Sequence, residues 1–210
     1  WGEVKGIYPP EQLKAMTDAE IAAQLARDLH IDAAQEQQVN PVPYRGRRPA
    51  EGLENALYLC PRCLSFDSLQ GEDNRLHCTA CGTQAVYTPL GALEGDFGQL
   101  QIRDWVAWQR QTLAGMMAEE NFALQDEGQT LRQVQEDHSV REVAHGTLHM
   151  DRRHIRIGDW ALPMDSLRGV AIFRKNRLLL TDSDGERYDF ASDHVRSALK
   201  YKDMFELIKE

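Results

Sequence analysis

Two short stretches decide how this sequence folds: "LYLCPRCLSF", Leu57–Phe66, and "LHCTACGTQ", Leu76–Gln84. They hold all 4 cysteines of the 210-residue chain, as the pairs Cys60/Cys63 and Cys78/Cys81 in the spacing C-x2-C-x14-C-x2-C. A C-x-x-C tetrapeptide brings two sulfurs together on one tight turn. Two such turns side by side offer four thiolates at the corners of a tetrahedron, the arrangement Zn²⁺ takes in structural sites. Pro61 stiffens the first knuckle by fixing φ. Gly82, directly after Cys81, is free to take a positive φ and turn the second knuckle back on the metal. Leu64 holds the corresponding place after Cys63, where such knuckles often carry glycine. Strand-like runs flank the pair, "ALYL" (56–59) and "TQAVYT" (83–88). The spacing predicts a small zinc ribbon over 53–95, with Cys60, Cys63, Cys78 and Cys81 holding one structural Zn²⁺. Two disulfides would suit a secreted framework, and a redox pair would need one C-x-x-C in a βαβ setting; both fit these surroundings less well. Four thiolates leave the metal no open position for substrate. Its part is to staple about 40 residues that are too few to build a core of their own.

Before the ribbon, residues 1–52 read as a helical segment and linker. Pro9 and Pro10 open the helical stretch "EQLKAM", and Thr17 with Glu20 makes a capping box for a second helix. Ile21, Leu25 and Leu29 form one apolar stripe on it, with packing against the rest of the chain as the expectation. "NPVPYRGRRPAEG" (40–52) is a turn-rich basic connector. After the ribbon, 96–124 reads as a connecting helix with Trp105, Trp108, Thr112 and Met116 at helical spacing, the tryptophans as packing anchors. From about residue 125 the period changes to two. "TLRQVQ" (130–135), "GTLHM" (146–150), "HIRIGDWALP" (154–163), "GVAIF" (169–173), "RLLLT" (177–181) and "RYDFA" (187–191) are strand-like, and "DSDG" (182–185) reads as a hairpin turn. Ser192 or Asp193 then caps a last helix with Val195, Leu199, Lys202, Phe205 and Ile208 on one side. The fold class is α+β: N-terminal helices, zinc ribbon, connecting helix, and over 125–210 a β-barrel of pleckstrin-homology or GRAM type capped by its C-terminal helix.

Composition narrows the function. With 42% hydrophobic and 27% charged residues the chain is of globular type, and its net charge of −9 argues against nucleic acid as a partner. No apolar run reaches the roughly 20 residues that span a bilayer. No Gly-rich phosphate loop, G-x-S-x-G elbow or H-E-x-x-H helix occurs. His77 adjoins Cys78, but the cysteines already fill a metal shell. His154 and Asp159 stand at H-x4-D spacing, the general-base motif of glycerolipid acyltransferases. They lie in a strand-and-turn stretch with no accompanying phosphate-binding segment, so coincidence is the reading. The basic set Arg152, Arg153, Arg156, Arg174, Lys175 and Arg177 would suit an anionic lipid headgroup or an acidic protein, but solvated hairpin tips have the same composition.

The combination "YRGRR…AEGLEN…LCPRC…CTAC…W..WQ", with "PPEQLKAMTDAEI" upstream, resembles the region downstream of the catalytic domain in bacterial 1-acyl-sn-glycerol-3-phosphate acyltransferase-like proteins, of a kind seen in Firmicutes. The likeness covers about residues 5–110. It implies that this chain is the C-terminal accessory region of such an enzyme, with an acyltransferase catalytic domain preceding Trp1. The absence of an initiator methionine fits that expectation. The resemblance further implies a parent that acylates 1-acyl-glycerol-3-phosphate in phospholipid synthesis, cytoplasmic or peripheral to the inner face of the plasma membrane. No catalytic residue is expected in this chain, and alone it should not transfer acyl groups. The alternative is a free-standing zinc-ribbon module that binds protein.

Overall fold

Pro9 and Pro10 begin the first helix as the sequence suggests. The computed structural model describes residues 4–174, 176–194 and 197–210, and the chain divides into two units, Trp1–Pro43 and Tyr44–Glu210. The first unit is helical: α1 (Pro10–Ala15), α2 (Asp18–Leu29) and α3 (Ala33–Val39). The capping box is formed, with the Thr17 N–H donating to Glu20 at 2.8 Å and the Glu20 N–H to Thr17 at 3.3 Å. The helix α3, absent from the sequence reading, starts where Asp32 accepts the N–H groups of Ala34 and Gln35 at 3.0 and 3.1 Å. None of the three helices buries a residue. Within its own unit the stripe stays uncovered, with Leu25 and Leu29 53% and 74% exposed. Helices this short create little buried area among themselves.

In the second unit two antiparallel sheets follow one another. The first has five strands in sequence order: β1 (Leu69–Glu72), β2 (Arg75–Cys78), β3 (Gln84–Tyr87), β4 (Ala92–Gly95) and β5 (Gly98–Gln101). Its core gathers Leu57, Leu69, Leu76, Ala85, Leu93 and Trp105 around Cys60 and Cys78. The helix α4 (Ile102–Met116) starts directly at the end of β5. Its most buried row is Trp105, Gln109 and Leu113, at steps of four; Trp108 packs against both cores from a half-buried position.

The second sheet comprises β6 (Leu124–Val134), β7 (Val140–Met150), β8 (His154–Ile157), β9 (Trp160–Pro163), β10 (Leu167–Phe173), β11 (Arg177–Asp182) and β12 (Arg187–Ser192). Their spatial order is β10-β11-β12-β6-β7-β8-β9: a four-strand meander, then a three-strand meander whose last strand returns to β6. The period-two burial of β11 shows why the strands were legible, since Leu178 and Leu180 point inward while their neighbours are half-buried. Leu178, Phe190 and Leu131 stand side by side across three strands. "DSDG" makes the expected hairpin, with Asp182 accepting the N–H groups of Asp184 and Glu186 at 3.0 and 2.9 Å.

The sheet does not close into the expected barrel; β9 and β10 are its two edges. Pro163 ends β9 without an N–H to extend a ladder, and a 3-10 turn, Met164–Ser166, redirects the chain. The helix α5 (Leu199–Lys209) packs on the sheet, its Tyr201, Met204 and Phe205 joining the core. Lys209 Nζ donates to the Met164 carbonyl at 3.1 Å, tying helix to turn. This helix begins later than Ser192 or Asp193, with Ala198 at its N-cap and no side-chain cap. Its buried side is Lys200, Tyr201, Asp203, Met204 and Phe205, not the row through Lys202; Val195 lies outside the described residues.

The two sheets have separate cores, bridged by one buried segment. "ALYL" is not a strand but a buried crossing between cores: Leu57 and Cys60 face the first, Tyr58 and Leu59 the second. The fold is α+β with five α-helices among the described residues.

Candidate metal centre

The two knuckles are built alike. In the first, the Cys60 N–H donates to Ser65 O at 3.1 Å and the Leu64 N–H to Cys60 O at 3.0 Å. In the second, the Cys78 N–H donates to Thr83 O and the Gly82 N–H to Cys78 O, both at 2.9 Å. The residue after the second cysteine is left-handed in both, φ +75° at Gly82 and +60° at Leu64. Glycine takes that conformation at little cost; a β-carbon makes it worth about 1–2 kcal/mol of strain. Leu64 thus departs from the usual residue without departing from the usual geometry.

These turns bring the four sulfurs within 4.8 Å of one another. Cys60 Sγ lies 3.8 Å from Cys81 Sγ, and Cys63 Sγ 3.7 Å from Cys78 Sγ. A disulfide requires about 2.05 Å, and all four cysteines are free. A metal ~2.3 Å from each corner of a regular sulfur tetrahedron sets edges of about 3.8 Å. The group can therefore hold a metal ion at its centre. Cys60 and Cys78 are buried, Cys63 and Cys81 half-buried.

Polar groups surround the sulfurs. N–H groups of Arg62 and Cys63 point at Cys60, and those of Ala80 and Cys81 at Cys78. Ser65 Oγ lies 3.3 Å from Cys63 Sγ, and Ser68 Oγ 3.2 Å from Cys78 Sγ. Burial pushes the Cys60 thiol up to about 12, whereas the Ser65 hydroxyl and N–H draw the Cys63 thiol down to about 6. Donors of this kind offset the negative charge that four thiolates bring to a divalent ion.

The knuckles are fixed by residues with no sequence motif. Gln109 of α4 accepts the Tyr58 N–H at 3.0 Å and donates to the Ala56 carbonyl at 2.7 Å, so the buried chain entering the first knuckle has its polar groups met. Trp105 Nε1 donates to the Leu59 carbonyl at 3.0 Å. Asp67, just past the first knuckle, forms an ion pair with Lys200 of α5 and accepts the Ser197 N–H at 3.1 Å. Lys200 also reaches Asp126 of β6 at 2.8 Å, and Tyr58 Oη donates to Asp203 at 2.8 Å. The sequence reading did not find this network: the lysine it set among the apolar positions of the last helix is Lys202, which pairs with Glu206, whereas Lys200 is the buried one.

Other candidate residues stay apart. His77 is half-buried on β2, outside the sulfur group. His154 begins β8, Asp159 sits in the following turn, and no hydrogen bond joins them among the described residues. The basic set splits in two. Arg152, Arg153 and Arg156 gather at the β7–β8 turn, while Arg174 and Arg177 sit at the β10–β11 hairpin, where Arg177 pairs with Asp189; Lys175 lies outside the described residues. No described helix is long and apolar enough to cross a membrane. The chain matches no protein-family model and no curated protein.

Proposed function

We propose that this chain is a zinc-stapled, non-catalytic accessory region of a membrane-peripheral lysophosphatidic acid acyltransferase. The observation that carries the structural role is the cluster of four sulfurs within 4.8 Å of one another. Its four members are protein thiolates, so a bound ion has no position left for substrate or water. Zinc and iron both accept four thiolates in this geometry; in this reading the ion is zinc, in a structural role.

The larger sheet supports a pleckstrin-homology-like reading in an open form. A four-strand meander, a three-strand meander returning to the first strand and a following helix make up that order. Such a sheet offers a rigid surface for the catalytic domain or an anionic headgroup. The acyltransferase assignment itself rests on the resemblance over about residues 5–110. The rival, a free-standing protein-interaction module, draws on the exposed Leu25 and Leu29 of α2.

Two measurements test this. Elemental analysis of the purified chain should give about one zinc per chain; no metal, with four titratable thiols, would overturn the zinc staple. Assay of the isolated chain with acyl-CoA and lysophosphatidic acid should give no turnover, and transfer at an enzymatic rate would overturn the accessory role.

A further inference from the structure

Among the described residues several arginines of the second unit have no carboxylate within ion-pair distance, and three of them share one groove. Arg48, Arg103, Arg110 and Arg177 each lie within ion-pair distance of a carboxylate, and Arg110 has three. Arg152, Arg153 and Arg156 are exposed, and among the described residues none of their guanidinium groups makes an ion pair or hydrogen bond. All three line one groove of about 470 Å³ between the β7–β8 turn and the segment that joins α4 to β6.

The turn holds them there. Asp151 accepts the N–H groups of Arg153 and His154 at 2.7 and 2.8 Å, which commits its Oδ1 to the backbone. Arg156 stands opposite His149 on β7, and His149 opposite Gln125 on β6, so a row crosses three strands on the outer face. His149 Nδ1, in the middle of that row, is buried and has no hydrogen-bond partner. Gln125 and Asn121 add neutral polar groups to the lining.

We propose that this groove binds a phosphate group, with Arg152, Arg153 and Arg156 as its ligands. A carboxylate has two oxygens and satisfies one guanidinium fork. A phosphate presents three or four acceptor oxygens and can take donors from several arginines at once. Glu120 and Asp151 also line the groove and reduce its charge to +1, in a chain whose net charge is −9. The opposite end of the sheet has the reverse character. There a groove of about 850 Å³ is lined by Glu136, Asp137, Asp184 and Glu186, with Arg187 as its one arginine or lysine, and an anion would be repelled. The site does not depend on the acyltransferase reading and would survive if the chain were a stand-alone module.

The phosphate can belong to a small molecule or to a lipid headgroup, and the test separates the two. The metal-loaded chain is titrated with inorganic phosphate by calorimetry, and sedimented with phosphatidylcholine vesicles with and without phosphatidic acid. The comparison variants are R152Q/R153Q/R156Q and, as a charge-matched control in the linker, R45Q/R47Q/R48Q. Saturable phosphate binding, weakened about tenfold or more in the groove variant and unchanged in the control, supports the site as one for free phosphate. Recruitment to phosphatidic acid vesicles that only the groove variant loses supports a headgroup. Among the described residues the three side chains make no ion pair or hydrogen bond, so the variant should keep the wild-type melting temperature, and R156E alone provides a charge-reversal check. Absence of both kinds of binding, or equal loss in both variants, overturns the proposal.

Discussion

Removing the charge of Lys200 should damage this fold more than its single atom of nitrogen suggests. The Lys200 side chain is 1% exposed, and its two partners Asp67 and Asp126 are 3% and 4% exposed. In Lys200→Met the apolar stem is kept and both carboxylates remain without their cation. Breaking a buried pair by removing one partner costs about 3–5 kcal/mol, a large share of the stability of a domain, commonly ~5–15 kcal/mol. The loss should depend on pH with a definite sign. Burial already raises the Asp126 pKa, with Lys200 opposing it; without Lys200 it rises further. A carboxylate whose folded pKa lies above its unfolded value of about 3.9 binds more protons in the folded state. Its penalty is full above the folded pKa and fades as pH falls through it, so the deficit should shrink from neutral to mildly acidic solution. Urea unfolding of the metal-loaded protein at several pH values measures both effects. The triple variant K200M/D67N/D126N, which removes all three charges, should recover most of the loss. A deficit below about 1 kcal/mol at neutral pH, or one that grows on acidification, would refute the reasoning.

Three further outcomes follow from the knuckles and their supports. Leu64→Gly relieves a left-handed β-carbon at φ +60° on an exposed side chain. The relief less the greater freedom of glycine in the unfolded chain leaves a gain of up to about 1 kcal/mol, read as a higher urea midpoint; a loss would show that Leu64 packs usefully. Gln109→Leu leaves the Tyr58 N–H and the Ala56 carbonyl unmet, at about 1–3 kcal/mol for each group, and thermal melting would show no change if these bonds were idle. Chelating the metal should disturb both sheets, because Tyr58 and Leu59 leave the first knuckle directly into the core of the second. Amide exchange that rises only within 53–101 after chelation would show that the larger sheet stands alone.

Local signals carried far in this sequence, and long-range ones hardly at all. The cysteine spacing announced the sulfur cluster, because two C-x-x-C turns dictate their own geometry. Alternation located β10, β11 and β12 to within two residues, as where Leu178 and Leu180 alternate with half-buried neighbours, but β6 and β7 each begin six residues before the runs read from the sequence, and the run 154–163 is two strands. Closure was not legible: whether β9 meets β10 is a matter of tertiary arrangement, and no local pattern encodes it. The strand-like run 56–59 misled for a related reason. Leu57, Tyr58 and Leu59 are buried because two cores lie on either side, a property of the tertiary arrangement. Gln109, Asp67 and Asp126 belong to residue types that are usually exposed. Only their partners, 51 to 133 residues away, give them a place inside.

The contacts between the knuckle and the last helix also constrain the order in which the chain can fold. Tyr58 meets Asp203 across 145 residues, Asn55 meets Ser197 across 142, and Asp67 meets Lys200 across 133. Loops of that size close at an entropic cost that local hairpins avoid, so contacts of this kind form late. During synthesis the cysteines emerge long before α5, and they can collect their metal while Asp67 still faces water. The ion that binds early would hold Asp67 in position for a lysine that arrives last, making metal capture the step that prepares the docking of the final helix.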